Sequence, residues 1–201
     1  MATTELRPDL TDSGAYRVAL RLARKRRHQE ALRYLEYSSS RGYPSAIYAL
    51  GTWYLFGRAV KRNYAKAARL LKQACDLGHS DACYDLAVSY EKGRGVKKNK
   101  KKALALYKKA SATGDTCASL EVGRMYYWAI GTKRDYIAAR RFLQRAARGK
   151  IAEAEYWLGL MYEHGDGMKQ NLPRARKWYA RAALDGGSVG KKARTSLDRL
   201  K

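Results

Sequence analysis

Apolar residues along this chain recur at spacings of three and four within segments of about a dozen residues, which short polar or glycine-rich stretches separate. Residues 45–57 form one such segment, and Ala67, Leu71 and Ala74 mark the apolar side of the next one. Apolar positions three and four apart lie on one face of an α-helix. The pattern therefore predicts amphipathic helices that short loops join in pairs.

The helical pattern also repeats, with a fixed period of 36 residues over four units. A constant period of this length indicates a stack of similar helical hairpins, and such stacks bind partners more often than they catalyse reactions. The positions that keep their phase are Ala46, Ala82, Ala118 and Ala154, then Tyr54, Tyr90, Tyr126 and Tyr162, then Ala67, Ala103, Ala139 and Ala175, and finally Ala74, Ala110, Ala146 and Ala182.

Each unit uses the same signals to end one helix and to begin the next. Glycines close the first helix, as at 93–95 and 165–167, because glycine readily adopts the backbone conformation of a tight helix exit. The loop that follows ends in Asn or Asp, whose side chains accept hydrogen bonds from the free N–H groups of a starting helix. These predicted N-caps are Asn63, Asn99, Asp135 and Asn171.

The repeated unit resembles the Sel1-like repeat, a helix–loop–helix branch of the tetratricopeptide-like superfamily. The resemblance rests on an early alanine, then Leu-Gly and Tyr-x-x-Gly, as at Leu50-Gly51 and Tyr54, and on Ala-Ala before a final glycine. It covers roughly residues 45–187, although Ala129 replaces one of the glycines. The resemblance implies an all-α fold, a right-handed α-solenoid of helix–loop–helix repeats with a cap at each end.

We expect one continuous solenoid domain. Terminal repeats of such arrays are atypical because their outer faces meet water. The predicted parts are a flexible N-terminus (1–11), a degenerate capping repeat (12–44), four repeats (45–80, 81–116, 117–152 and 153–187) and a basic C-terminal capping helix (188–201).

Charge is distributed unevenly over the repeats. The chain has 42 Lys and Arg against 18 Asp and Glu, a formal net charge of +24, and such a field attracts acidic partners. The first helices with their glycine turns hold four basic and eight acidic residues, whereas the loops and second helices hold 24 basic and four acidic residues. In the family that the chain resembles, first helices line the concave face and second helices the convex face. The resemblance therefore implies a basic outer surface around a neutral-to-acidic inner groove.

Partner-binding residues are predicted at first-helix positions that vary between repeats. Helical spacing places positions 49, 52 and 56 and their equivalents on the face toward the groove. Aromatic side chains mixed with arginine and acids are typical of protein-recognition surfaces. The alternative is that Trp128 and Trp157 fill gaps between neighbouring helices. The predicted set is Phe56, Asp85, Lys92, Glu121, Arg124, Trp128, Trp157 and His164.

Runs of basic residues predict a surface for phosphate or acidic groups, and a merely solvated face is the alternative. Contacts of this kind release counterions, so the binding weakens as salt rises. Nucleic acid or an anionic membrane surface is therefore an alternative partner, although we find no base-reading motif. The predicted basic surface comprises Lys97, Lys98, Lys100, Lys101, Lys102, Arg140, Arg141, Arg145 and Arg148.

Cys75 and Cys83 lie on the two sides of the turn between the first two repeats. Their spacing resembles the disulfide between helices of the secreted, cysteine-rich members of the family. Those members carry such a pair in most repeats, whereas the later equivalents here are Ser, Ala and Glu. We therefore favour a buried, reduced thiol pair and keep a disulfide as the alternative. Cys117 has no expected mate.

The pattern as a whole favours a non-enzymatic scaffold or adaptor that binds a peptide or protein partner in the groove. Its basic face would engage an acidic partner. We find no nucleophile–base pair, phosphate-cradling glycine loop or metal-ligand spacing, so we expect no cofactor and no metal. A hydrolase, as proposed for cysteine-rich relatives against penicillin-like compounds, is less favoured. The first residues resemble no secretion signal, and we expect a cytoplasmic location.

Overall fold

A computed structural model describes residues 11–200 of the chain, and this part contains eleven α-helices and no strand. The predicted all-α class is therefore confirmed. The described residues form two compact units, which divide after Asn99. The segment predicted to be flexible, 1–11, lies outside the described residues apart from Thr11, whose side chain caps the first helix.

The first unit consists of two helical hairpins and one further helix, and each helix packs on the next. The hydroxyl of Ser38 donates a 2.6 Å hydrogen bond to the carbonyl of Asp12, and Arg41 pairs with the carboxylate of the same residue. These contacts fix the first helix against the second. The helices are α1 (Asp12–Arg24), α2 (His28–Ser40), α3 (Pro44–Phe56), α4 (Tyr64–Asp76) and α5 (Ser80–Lys92).

The second unit has six helices. The helix α6 packs on α7, the hairpins α7–α8 and α9–α10 follow, and α11 packs on both α9 and α10. The helices are α6 (Lys100–Ala112), α7 (Thr116–Tyr127), α8 (Tyr136–Arg148), α9 (Ala152–His164), α10 (Leu172–Ala182) and α11 (Ser188–Arg199).

Helix starts and exits follow the predicted signals. The side chains of Asn63, Asp135 and Asn171 accept hydrogen bonds of 2.8–2.9 Å from the backbone N–H three residues later. Gly57 ends α3 in the left-handed conformation, with φ of 75°. Ala129, which replaces such a glycine after α7, has φ of 56°. The third repeat therefore keeps the same left-handed exit at a residue with a side chain, and this residue carries conformational strain.

The core of each unit is built from alanines that keep phase and from larger apolar side chains. Ala46 and Leu71 are completely buried in the first unit, as are Leu143 and Leu158 in the second. Small alanines allow the helices of a hairpin to approach closely, while the leucines fill the space between them. Neighbour-to-neighbour packing of this kind supplies most of the stability of a repeat array.

Helix α11 is attached to the rest of the second unit through a buried carboxylate. The Nη2 atom of Arg199 lies 2.6 Å from Oε1 of Glu163, whose other oxygen accepts a 2.5 Å hydrogen bond from the hydroxyl of Tyr179. Leu197 of α11 packs on the hydrophobic cluster that contains this tyrosine. The carboxylate therefore links α9, α10 and α11.

Candidate protein-interaction site

Four aromatic side chains meet where α7 ends in the second unit. The ring centroid of Tyr127 lies 5.0 Å from that of Trp128 and 5.2 Å from those of Tyr136 and Trp157. The rings of Trp128 and Trp157 are 5.9 Å apart and nearly perpendicular. Edge-to-face contacts at such distances are favourable because the ring edge is positive and the face negative. We call these four residues the aromatic cluster.

The two tryptophans differ in exposure. Trp157, in the middle of α9, is half-buried and packs on Tyr127 at the end of α7. Trp128 is 51% exposed although its ring rests on two others. The cluster thus presents a large indole surface on a packed aromatic base.

A hydrogen bond to a carboxylate holds the cluster in place. The hydroxyl of Tyr127 donates a 2.6 Å hydrogen bond to Oδ2 of Asp166, in the turn after α9. Burial, and after it this hydrogen bond, raises the pKa of Tyr127 well above the ordinary 10.0. The hydroxyl therefore remains a donor at neutral pH, and the ring orientation is fixed.

Two predicted residues of α7 form an ion pair on the helix that carries Trp128. Nε of Arg124 donates a 2.8 Å hydrogen bond to Oε2 of Glu121, and both side chains are half-buried. The pair keeps this part of the helix close to neutral. It offers both hydrogen-bond donors and acceptors to a partner that contacts the aromatic cluster.

The remaining predicted partner residues have different surroundings. In the first unit, Phe56 is 74% exposed, Lys92 is exposed, and Asp85 is half-buried. Asp85 accepts a 3.2 Å hydrogen bond from the hydroxyl of Tyr48, and burial raises the pKa of this carboxyl. In the second unit, His164 lines a shallow cavity of about 340 Å³ between α9 and α11, apart from the aromatic cluster.

The predicted basic residues lie at the surface to different extents. Arg145 is half-buried, and so is Arg140, whose Nη1 atom lies 3.6 Å from the sulfur of Met168. The exposed members are Lys97, Lys98, Lys100, Lys101, Lys102, Arg141 and Arg148.

The structure joins Cys75 and Cys83 in a disulfide, which corrects the reduced pair that the sequence favours. The end of α4 and the start of α5 bring the two Cα atoms to 4.7 Å, within the range that a disulfide needs. At the next junction of this kind, the hydroxyls of Ser111 and Ser119 lie 2.8 Å apart. Cys117 is an exposed free thiol.

Two buried acidic residues are not predicted by the sequence pattern. Glu155 is 6% exposed and lies 2.6 Å from the guanidinium of Arg181, and Glu163 is 8% exposed and bound as described above. Glu155 shares its phase with Cys83 and Ser119, which are buried. A carboxylate in a buried phase signals a buried ion pair, because an unpaired charge is costly there.

Residues 11–200 contain no group of three or more His, Cys, Asp or Glu side chains placed to hold a metal ion. In the same range, no helix combines the length and the apolar character needed to span a bilayer.

Helical hairpins with a constant core and varied, exposed side chains define a helical-repeat protein. The Sel1 repeat model matches residues 44–79, 80–115, 118–150 and 152–187. Because these ranges cover more than half of the sequence, the chain belongs to the Sel1 repeat family. Sel1-repeat proteins generally mediate protein–protein interactions and are typically non-enzymatic scaffolds.

Solved structures show the same architecture. A Sel1 repeat protein from Oxalobacter formigenes is 28% identical, with a TM-score of 0.86 over 92% of this chain and 74% of that one. The protective antigen c5321 of uropathogenic Escherichia coli, which has the same fold, is 23% identical, with a TM-score of 0.89 over 94% of this chain. The match spans 41% of that antigen. No curated protein sequence matches this chain significantly.

Proposed function

We propose that this protein is a scaffold that binds a peptide or protein partner through the aromatic cluster of the second unit. The observation that carries the proposal is the exposure of Trp128, 51%, on top of the packed ring of Trp157. Tryptophan and tyrosine dominate many binding interfaces because they bury a large area with few rotatable bonds. A rigid base beneath the exposed indole lowers the entropy lost on binding.

The partner presents an apolar or aromatic side chain to Trp128 and polar groups to the ion pair on the same helix. Arg124 is half-buried beside Glu121, so a partner carboxylate or carbonyl can share its donors without leaving a buried charge unpaired. A central aromatic anchor with a polar rim is the common anatomy of protein interfaces.

We assign the basic second helices to a separate, anionic partner. Loops and second helices of the four repeats hold 24 basic residues and four acidic ones, whereas the first helices are slightly acidic. Surfaces of opposite character suit different ligands, since charge complementarity selects partners and speeds their association. Because the two kinds of helix carry opposite charge, we infer an adaptor that holds two ligands at once.

The test begins with capture of partners on the immobilised protein, with and without nuclease, followed by mass spectrometry and binding assays on the purified partner. Trp128→Ala should weaken the complex on the order of 30-fold, about 2 kcal/mol, as for an anchor tryptophan. The matched control is Phe56→Ala, which removes an exposed aromatic side chain from the same phase of the first unit.

A partner that binds Trp128→Ala as tightly as the unmodified chain would overturn the proposal. Because the indole of Trp128 contacts two other rings, thermal unfolding of each variant is measured in parallel. Trp128→Phe keeps an aromatic ring and should lose less affinity than Trp128→Ala.

A further inference from the structure

The second helices of the second unit carry basic charges without any acidic residue. The helix α6 contains five lysines, α8 contains four arginines, and α10 contains three arginines and one lysine. In the first unit, by contrast, α4 includes Asp76, and α2 includes two glutamates. The excess positive charge is therefore most concentrated in the second unit.

The loops before α8 and α10 each lie against the start of the previous second helix. Gly131, in the loop before α8, lies so close to α6 that an added Cβ would be 2.6 Å from the backbone of Lys100. Gly167, in the loop before α10, has the same relation to α8, with an added Cβ only 2.5 Å from the Cβ of Tyr136. Each loop thus sets the start of one second helix against the previous one. We call the basic side chains of α6, α8 and α10 the basic layer.

The middle helix of this layer has an open pocket of about 550 Å³, which is lined by Arg141, Phe142, Gln144, Arg145 and Arg148. The arginines are four and three residues apart and so follow one another along one face of α8. Among the described residues, none of these three guanidinium groups has a carboxylate partner. Three uncompensated guanidinium groups at one pocket make a site for an extended anion.

We propose that this pocket binds single-stranded nucleic acid, with Arg141, Arg145 and Arg148 on the phosphates and Phe142 beneath a base. Guanidinium groups match the oxygen pairs of phosphate, and the cations of α6 and α10 extend the positive layer along the strand. Phe142 is half-buried, and its inner contact is a stacked tyrosine, Tyr126, at 6.0 Å.

The aromatic ring decides between the polyanions that would fit this charge. Single strands bind where aromatic side chains stand among cations, because their bases are free to stack. A duplex keeps its bases paired and stacked, and a peptide made only of acidic residues has no aromatic ring to stack on Phe142. Single-stranded nucleic acid is the ligand that uses both the arginines and the ring.

The test measures fluorescence anisotropy of a labelled, mixed-sequence DNA strand of about 20 nucleotides against the full chain, over a range of salt concentrations. The triple variant Arg141→Gln, Arg145→Gln and Arg148→Gln should weaken binding at least about tenfold. It should also reduce the slope of log affinity against log salt by about 2. Phe142→Leu keeps an apolar side chain under the pocket and should weaken single-strand binding roughly fivefold.

The matched control removes the same charge from the first unit, with Arg21→Gln, Arg24→Gln and Arg33→Gln, which are exposed positions on α1 and α2. It should change the affinity less than about threefold. Equal losses in the two triple variants would overturn the proposal, since bulk charge alone would then explain binding. So would a duplex of the same sequence, or polyglutamate of equal charge, that binds as tightly as the single strand. Circular dichroism melting verifies that all variants are folded.

Discussion

The first helices of the two units end at equivalent positions and present different surfaces there. Phe56 ends α3 and is 74% exposed, while Trp128 occupies the same phase after α7 and is 51% exposed. The rings of Tyr127 and Trp157 support the indole of Trp128. The repeat sets where the side chain lies, and the residues at the varied phases decide whether it becomes part of a cluster. The second unit is therefore where we place partner binding.

The junctions between repeats also differ between the units, and exchanging them produces the largest expected effect on stability. Replacing Cys75 and Cys83 by serine gives the first unit the hydroxyl pair of Ser111 and Ser119. The free energy of unfolding should fall by about 2.5 kcal/mol, since the cross-link across a short loop no longer restrains the unfolded chain. Urea denaturation, with hydrogen exchange to locate the loss in α4 and α5, measures this change.

The reverse exchange, Ser111→Cys with Ser119→Cys, should create a second disulfide under oxidising conditions and raise stability by a similar amount. Thiol counting in denaturant reports both disulfides. Unchanged stability of the unmodified chain under a reducing agent would show that the cross-link makes no contribution, contrary to this prediction.

A smaller effect is expected from adding one methyl group where a second helix crosses a first. A Cβ on Gly159 would lie 2.5 Å from the ring of Tyr179, which is completely buried. Gly159→Ala should cost about 2 kcal/mol in urea denaturation because this ring cannot move away.

The control for this overpacking is Gly51→Ala in the first unit. There an added Cβ would meet Leu70 at 3.3 Å, and Ala87, in the same phase, already accommodates a methyl group. The control should change stability by less than about 1 kcal/mol. Equal losses at Gly51 and Gly159 would contradict the packing difference.

The fold could be predicted almost completely because packing imposes it on every repeat. Ala46 and Ala154 are buried as their phase requires, and Asn63 and Asp135 cap helices as their position requires. The left-handed conformation of Ala129 could not be predicted, because an alanine does not favour a φ of 56° and the sequence pattern gives no sign of it. Sequence periodicity predicts the structure that all repeats share, but it does not predict how one repeat differs from the others.

The strained exit of the third repeat gives the next smaller effect. Ala129→Gly should raise the free energy of unfolding by about 1 kcal/mol, because glycine adopts φ of 56° without the steric cost of a Cβ. Gly57→Ala, at the equivalent exit of the first unit with φ of 75°, should lose about as much. Thermal melting of both variants measures the pair, and a loss of stability in Ala129→Gly would contradict the assignment of strain.

The smallest effect concerns pH and the first unit. His79, the residue just before α5, is stacked on Tyr48 with ring centroids 4.4 Å apart, and burial lowers its pKa below the ordinary 6.5. The unfolded chain then binds a proton more readily than the folded one. Stability should therefore be highest above pH 6.5 and fall slightly as the pH drops through the folded pKa.

His79→Gln should remove this dependence, as measured by thermal melting at several pH values. Burial raises the pKa of Asp85, so its contribution to stability changes with pH in the opposite direction and at more acidic pH. Both proteins keep Asp85, so this contribution should be the same in the two profiles. A pH profile that is identical with and without the histidine would refute the assignment to His79.

The candidate site could be predicted only in part. The varied phases singled out Trp128 and Trp157, and the structure brings these two rings together. The contributions of Tyr127 and Asp166 were not visible, because their hydrogen bond joins residues 39 positions apart in different repeats. The sequence favours a reduced pair because the other repeats lack equivalent cysteines. Whether a disulfide can form depends instead on the distance between Cys75 and Cys83, which the pattern does not give.

Hydroxyl-radical footprinting of the chain, alone and with its captured partner, tests the central claim most directly. In the free chain, both Phe56 (74% exposed) and Trp128 (51% exposed) should be oxidised. In the complex, Trp128 should be strongly protected, while Phe56 should be oxidised as before. Protection of Phe56 with unchanged oxidation of Trp128 would contradict it.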